Sequence, residues 1–345
     1  MSIHISLTDT GIRQNLWPFT LIRPVADLRI GILTIREKWK AITGYDPYVN
    51  KESGEDIREI PANFIPGDWG RIEDMPADLN ELEHRILDRP WQMPVFNAWA
   101  IRNDYESVTR NRESKPIPDT VRTIDRGLIF IEEGATLEHC YINASDGPVY
   151  IGRDVLVMDG AILRGPLAIC EGAVVKSGAV IYGGTTIGPH CIAGGEIKNS
   201  ILMGYTNKSH HGYLGDAVLG EWCNLGAGTS CSNLKNTGGE VRVWNMHRGA
   251  FEAAGMKCGL LMGDFSRSAI HTAFNTGTVT GICANIFGYD GLTPKHIPNF
   301  TWGTGDPGSY GVEKALMDIN VWMGFKGREL TKELRDALTA LYSNT

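Results

Sequence analysis

IGRDVLVMDGAILRGPLAICEGAVVKSGAVIYGGTTIGPHCIAGGEIK, residues 151–198, carries an apolar residue at every sixth position. Ile151, Val157, Leu163, Ile169, Val175, Ile181 and Ile187 hold this phase, with Ala193 next in line. Four residues after each comes a second small or apolar residue: Val155, Ala161, Leu167, Ala173, Ala179, then Thr185 and Cys191. Gly, Asp, Pro and Lys fill the intervals. A helix or an ordinary strand repeats with a much shorter period, so neither keeps a phase of six over eight repeats. A hexapeptide repeat marks a parallel β-helix. Each hexad is one short flat face, three faces close a coil, and each coil buries its apolar residues against the coils above and below.

Outward from this run the phase weakens. Hexads begin at Ile131 and Leu137 and pause at a loop near Asn143–Pro148. After Lys198 the six-residue step resumes at Tyr213, Leu219, Leu225 and Cys231, displaced by two residues. A loop or bulge containing Asn207-Lys208-Ser209-His210-His211-Gly212 is therefore expected between them. A second interruption at 235–258 carries Trp244, His247 and Arg248, and the repeat returns near Phe274, Thr280 and Ile286. Beyond a Pro- and Gly-rich stretch, Ala315, Ile319, Trp322 and Met323 mark one helix, and Leu330, Leu334, Leu338 and Leu341 a second. Both are expected to cover the open last coil.

Towards the N-terminus, Ile32, Ile35, Trp39 and Ile42 recur at helical spacing. Residues 49–125 are rich in Asp, Glu, Pro and Arg and predict a small α/β or irregular domain. The expected architecture is mainly β: an N-terminal α/β domain at 1–125, a β-helix at 126–290 and a helical extension at 291–345.

Composition narrows the function classes. At 345 residues the chain has room for two domains, and most of its 41 glycines fall between 126 and 311, where corners must repeat. A net charge of −7 argues against a nucleic-acid surface. The seven cysteines are odd in number and include no CxxC pair; several occupy hexad positions, as small core residues do. No signal peptide and no apolar run of membrane-spanning length is seen, so a cytoplasmic protein is expected, with no membrane partner.

The segment Glu196-Ile197-Lys198 … Ser209-His210-His211-Gly212-Tyr213-Leu214-Gly215-Asp216-Ala217 … Asn224-Leu225-Gly226-Ala227-Gly228-Thr229 … Asn233 closely resembles the acetyltransferase half of the bifunctional enzyme that makes UDP-N-acetylglucosamine in bacteria. The resemblance spans roughly 126–290. It implies a left-handed β-helix, a homotrimer, acetyl-CoA as co-substrate and a glucosamine 1-phosphate-like acceptor. The run FTLIRPVADLRIGILTIREKW (19–39) and the block 259–288 resemble a divergent branch of the same family, described as sugar nucleotidyltransferases.

Carried over by residue, the resemblance makes His210 the general base. Lys198 would pair with the sugar phosphate, and Tyr213 and Asn224 would orient the sugar. Ala227 and Asn233 would contact acetyl-CoA, and no metal is required for this transfer. His211 is the rival base, and Asn224 and Asn233 also fit stacked asparagines at coil corners. The family pattern has a tyrosine where this chain has Leu234. It has a phosphate-gripping arginine where this chain has Val180, with Arg164 or Lys176 as conceivable substitutes.

Arg23 and Arg29 read as structural or interface residues, with phosphate contact as the alternative. A nucleotidylyltransferase needs a Gly-rich phosphate loop and acidic residues for Mg²⁺. No G-x-G-T-R-M-like run precedes residue 125, so Mg²⁺ is expected only if that activity exists. Three readings stand at this stage: an amino-sugar phosphate N-acetyltransferase, a sugar-1-phosphate nucleotidylyltransferase, and a non-catalytic β-helix that binds a sugar nucleotide.

Overall fold

Strands of two to four residues stack into three parallel sheets, each strand pairing with those one coil before and one coil after. The structure is a computed structural model describing residues 4–51, 57–67, 81, 83–288, 290–303 and 310–344. One sheet of nine strands runs from Ile129–Ile131 to His296–Ile297. A second, of eight, runs from Thr136–Leu137 to Asn285–Ile286. A third, of six, runs from Arg122–Ile124 to Tyr213–Gly215, and Ser230–Cys231 and Ala273–Phe274 follow in the next coils. From what lies outside them we call these the covered, helix and open faces.

This is the expected parallel β-helix. Val157, Leu163, Ile169 and Val175 are fully buried in one continuous core with Ile151, Ile181 and Ile187. Ile151 pairs with Ile169 and Ile169 with Ile187, so three hexads make one coil. The coils that follow are shorter. Ile187 pairs with Leu202, where three full hexads would have reached Tyr205. Leu202 pairs with Leu219, where they would have reached Gly220. The phase slip expected near 198–213 is thus a shortened coil. It also corrects the register, because Leu214 points inward while Tyr213 faces out. Lys208 occupies the inward position paired with Ala193.

The covered face is sealed by the N-terminal region. Strand His4–Thr8 lies between Tyr48–Val49 and Ile57–Pro61, all parallel. Helix α1 (Ile35–Thr43) starts at a Thr34/Glu37 capping box and ends at Gly44 in the left-handed region. Helix α2 (Gln92–Thr109) lies in the stretch expected to be a small α/β or irregular domain. It is a regular helix because Pro94 falls in its first turn, where a missing N–H costs nothing. Outward-facing Ile201, Val218, Leu261 and Val279 share one apolar cluster with Ile5, Leu7, Trp39 and Met93. A buried Lys38–Asp104 ion pair ties α1 to α2, and Asp104 also accepts from the backbone N–H groups of Ile32 and Leu33.

The second interruption is an antiparallel hairpin, Arg242–Asn245 with Ala250–Ala253. It folds back on the N-terminal region: Val241 and Val243 join the same cluster, and Arg89 pairs with Glu252 at 2.8 Å. Helices α3 (Val312–Gly324) and α4 (Lys332–Ser343) fall where the sequence placed them. They run beside the corner between covered and helix faces, packing on Trp222, Phe265, Cys283 and Phe300 as well as near the last coil. Among the described residues no helix is long and apolar enough to cross a membrane.

Candidate functional site

The corner between helix and open faces carries the residues singled out in the sequence. Within one coil, strand Asn207–Lys208 lies on the helix face and Tyr213–Gly215 follows on the open face. Ser209-His210-His211-Gly212 spans the corner between them. Both imidazoles are exposed, and no side-chain hydrogen bond holds either among the described residues. The backbone, by contrast, is firmly held. Lys208 turns its stem into the core, and its ammonium donates to the carbonyls of Gly194 (3.0 Å) and His210. Burial pulls its pKa down to about 8. Beneath the loop lies Gly195 at φ +70°, where a Cβ would stand 2.6 Å from the His210 carbonyl oxygen. Only glycine lets the corner approach this closely.

On the open face beside this corner, Tyr213 lies along its own strand, over the position a Gly215 side chain would fill. Its hydroxyl accepts from Asn233 Nδ2 at 3.1 Å. The same amide donates to Asp216, whose other oxygen accepts from Asn199 Nδ2 at 2.7 Å. Asn199 and Asp216 sit at positive φ on successive coils, a conformation their short polar side chains tolerate. Burial, then the carboxylates of Asp216 and Glu196, push the Tyr213 phenol up to about 12. It therefore stays a neutral hydroxyl, able to donate to a ligand. Lys198 points outward from the adjacent strand, in register with Gly215, and its Nζ is 5.9 Å from the Tyr182 ring centroid.

Tyr213 and Asn233 thus come together on the open face, with Lys198 on the adjacent strand and His210 on the corner that precedes Tyr213. Ala227 lies in the same corner one coil on, its carbonyl accepting from the His271 N–H at 2.7 Å. Asn224 does not join them: it stands on the helix face, between Asn207 and Arg267. Arg164 is engaged with Asp146 at 2.6 Å, and Val180 leaves an apolar side chain where the resembled family has its arginine. Two residues were missed in the sequence. Lys208 would have stood out had the phase been carried through a shortened coil. Arg267 would have stood out as a cation in a strand of otherwise small residues.

Residues 5–53 match the family described as sugar nucleotidyl transferase. The bifunctional protein GlmU of Methanocaldococcus jannaschii is 34% identical over 195 residues, 56% of this chain and 41% of that one. The protein of the same name from Methanococcus vannielii is 28% identical over 253 residues, 70% of this chain and 54% of that one. A bifunctional sugar-1-phosphate nucleotidylyltransferase/acetyltransferase of Sulfurisphaera tokodaii is 28% identical over 201 residues, 58% of this chain and 44% of that one. The chain spans about half the length of the relatives it matches. By sequence and by its β-helix, it is similar to bifunctional sugar-1-phosphate nucleotidylyltransferase/acetyltransferases.

Proposed function

We propose that this chain transfers the acetyl group of acetyl-CoA to the amine of an amino-sugar 1-phosphate, as a homotrimer. One observation carries the reading. The exposed His210 imidazole stands on a backbone fixed by Lys208 and Gly195, on the corner leading into the strand whose Tyr213 bonds Asn233 and whose neighbouring strand carries Lys198.

Lys198 offers a cation to the sugar phosphate, and Tyr213 donates its hydroxyl to the sugar. Held in this way, the amine lies within reach of the imidazole. As the amine nitrogen attacks the thioester carbonyl carbon, a nitrogen of His210 takes its proton. The carbon–sulfur bond then breaks, and the same proton passes to the departing thiolate. Ala227, on the next coil, and the Asn233 side chain would contact acetyl-CoA.

Two features of the single chain support the trimer. The covered face is occupied by the N-terminal region, whereas the open face exposes Ile124 (54%), Tyr141 (55%) and Ile162 (46%) along a groove of about 410 Å³. Asn224 stands on a different face of the prism from Lys198 and Tyr213, so one chain does not bring all three together. Incubating the purified protein with acetyl-CoA and a panel of amino-sugar phosphates tests the activity, and release of free thiol reports turnover. No turnover with any acceptor removes the reading.

Nucleotidylyl transfer is the second reading, favoured by the family match over residues 5–53. In that stretch Arg23 is tied to Asp264 (2.7 Å) and Glu221 (3.2 Å), and Arg29 to Glu37 (3.4 Å). Both arginines are thus committed to internal partners. Among the described residues no three His, Cys, Asp or Glu side chains converge as a metal site. Pyrophosphate release from UTP and a sugar 1-phosphate by the full chain decides this reading.

A further inference from the structure

The outer side of the helix face changes character along the stack. In the regular coils its outward column is Leu156, Val174 and Ile192. In the later coils the same column becomes Asn207, Asn224, Arg267 and Asn285, each in register with the next. Helix α3 lies over these polar residues. A cleft of about 310 Å³ opens between them, lined by Asn224, Arg267, Asn285, Asp318 and Trp322.

Arg267 is only 8% exposed, and Trp322 lies over its guanidinium at 4.9 Å. Its Nε and Nη2 are buried without a hydrogen-bond partner among the described residues, and so is Oδ1 of Asn207. The cleft's carboxylate, Asp318, is already taken: it accepts from the Tyr310 hydroxyl at 2.6 Å and from Lys314 at 3.2 Å. Proteins seldom bury a cation with nothing to receive its N–H groups, because the lost hydration is not replaced. A planar fork of donors flanked by two carboxamides matches a phosphoryl group, which offers several acceptor oxygens and negative charge. Beyond Trp322, a second cavity of about 440 Å³ adds Lys326 and Arg328, so positive charge continues along the groove.

We propose that the cleft beneath α3 is a phosphate-binding subsite in which Arg267, between Asn224 and Asn285, grips a phosphoryl group of the ligand. The choice of ligand rests on the acetyl-transfer reading: the group belongs to the acceptor sugar 1-phosphate or to coenzyme A. Val180 leaves the open face without the arginine of the resembled family. Arg267 supplies a guanidinium one strand away from Asn224, the residue assigned to the sugar.

Calorimetric titration of the full-length protein with glucosamine 1-phosphate, coenzyme A and inorganic pyrophosphate tests the subsite directly, without turnover. Arg267→Met should weaken at least one of the first two ligands by about 10- to 100-fold, the scale of a lost charge-assisted hydrogen bond. Arg267→Lys should fall between that variant and the wild type. Whichever of the two loses affinity is the source of the phosphate. Trp322→Leu removes the ring but leaves the cation, and separates ligand binding from the seating of α3. The proposal is overturned if the wild type binds none of the three. It is equally overturned if Arg267→Met melts earlier while keeping its affinities, or if Trp322→Leu lowers them as much as Arg267→Met does. Loss of turnover in His210→Ala with these affinities intact leaves the subsite standing. Arg267-dependent binding without any acetyl transfer would sink the catalytic reading alone.

Discussion

The coils from Ile151 to Ala193 and those from Ile197 to Cys231 are built to the same plan and spend their residues differently. In the first set every coil takes three full hexads, and every inward position is small or apolar. In the second, the coils fall short of three hexads, and one inward position holds a lysine. A corner short of residues cannot satisfy all of its carbonyls through the coil-to-coil ladder. The Lys208 ammonium supplies the missing donor at Gly194 and His210. Regular coils stabilise the stack, whereas the shortened ones hold the Ser209–Gly212 loop in place.

The sharpest way to break this contrast is at His210. His210→Ala should cost about 10²–10⁴-fold in acetyl-transfer rate, with melting temperature and acetyl-CoA binding kept, and His211→Ala should retain much of the turnover. The reverse pattern would exchange the roles of the two imidazoles. The complementary substitution, Leu163→Ala in the regular coils, should lower unfolding free energy by about 2–5 kcal/mol and leave the rate per folded molecule unchanged. Denaturant titration alongside the assay checks both halves.

Lys208→Met lies between these extremes. It keeps the stem's packing but leaves two carbonyls without their donor, at a cost of about 1–3 kcal/mol near neutral pH. Its pH dependence has a definite sign. The folded-state pKa, about 8, lies below the ordinary 10.5. Between those values the unfolded chain holds a proton that the folded one has released, so wild-type stability should rise with pH across that window. Lys208→Met should lack the rise; a parallel rise in both proteins would assign it elsewhere. The smallest effect on folding is expected on the open face. Ile162→Asp should change unfolding free energy by no more than about 0.5 kcal/mol, yet reduce the light-scattering mass from three chains to one. Unchanged mass would place any interface elsewhere.

The β-helix was legible because an unbroken phase of six fits neither a helix nor a flat strand, and Leu163 and Val175 alone already show which side is inward. Helix α2 was not, because its buried residues spread around its circumference. Met93 and Ala100 meet one apolar cluster, Ile101 and Tyr105 another, while Asn97 bonds the backbone of Gly31 and Gly184. Periodicity fails for a helix buried on several sides. Runs such as Ile201-Leu202-Met203 and Leu260-Leu261-Met262 carried a signal that went unread. Apolar residues facing both ways in a strand imply a layer on each side, which here is the N-terminal region. At the candidate site, Lys198, Tyr213 and Asn233 were found through a motif. Lys208 and Arg267 were not, because a charge inside a repeat is recognised only once the register is known.

The sealing of the covered face also dictates an order of assembly. Arg23 meets Asp264 across 241 residues of sequence, and the cluster around Ile5 and Trp39 is completed by Leu261 and Val279. A ribosome releases the N-terminal strand and α1 long before the coils that bury them have been made. Until those late coils form, that apolar surface must wait uncovered, and the closing step brings together residues far apart in the chain. Slow folding dominated by long-range contacts, with aggregation competing before closure, is the kinetic consequence of placing the first strand against the last coils.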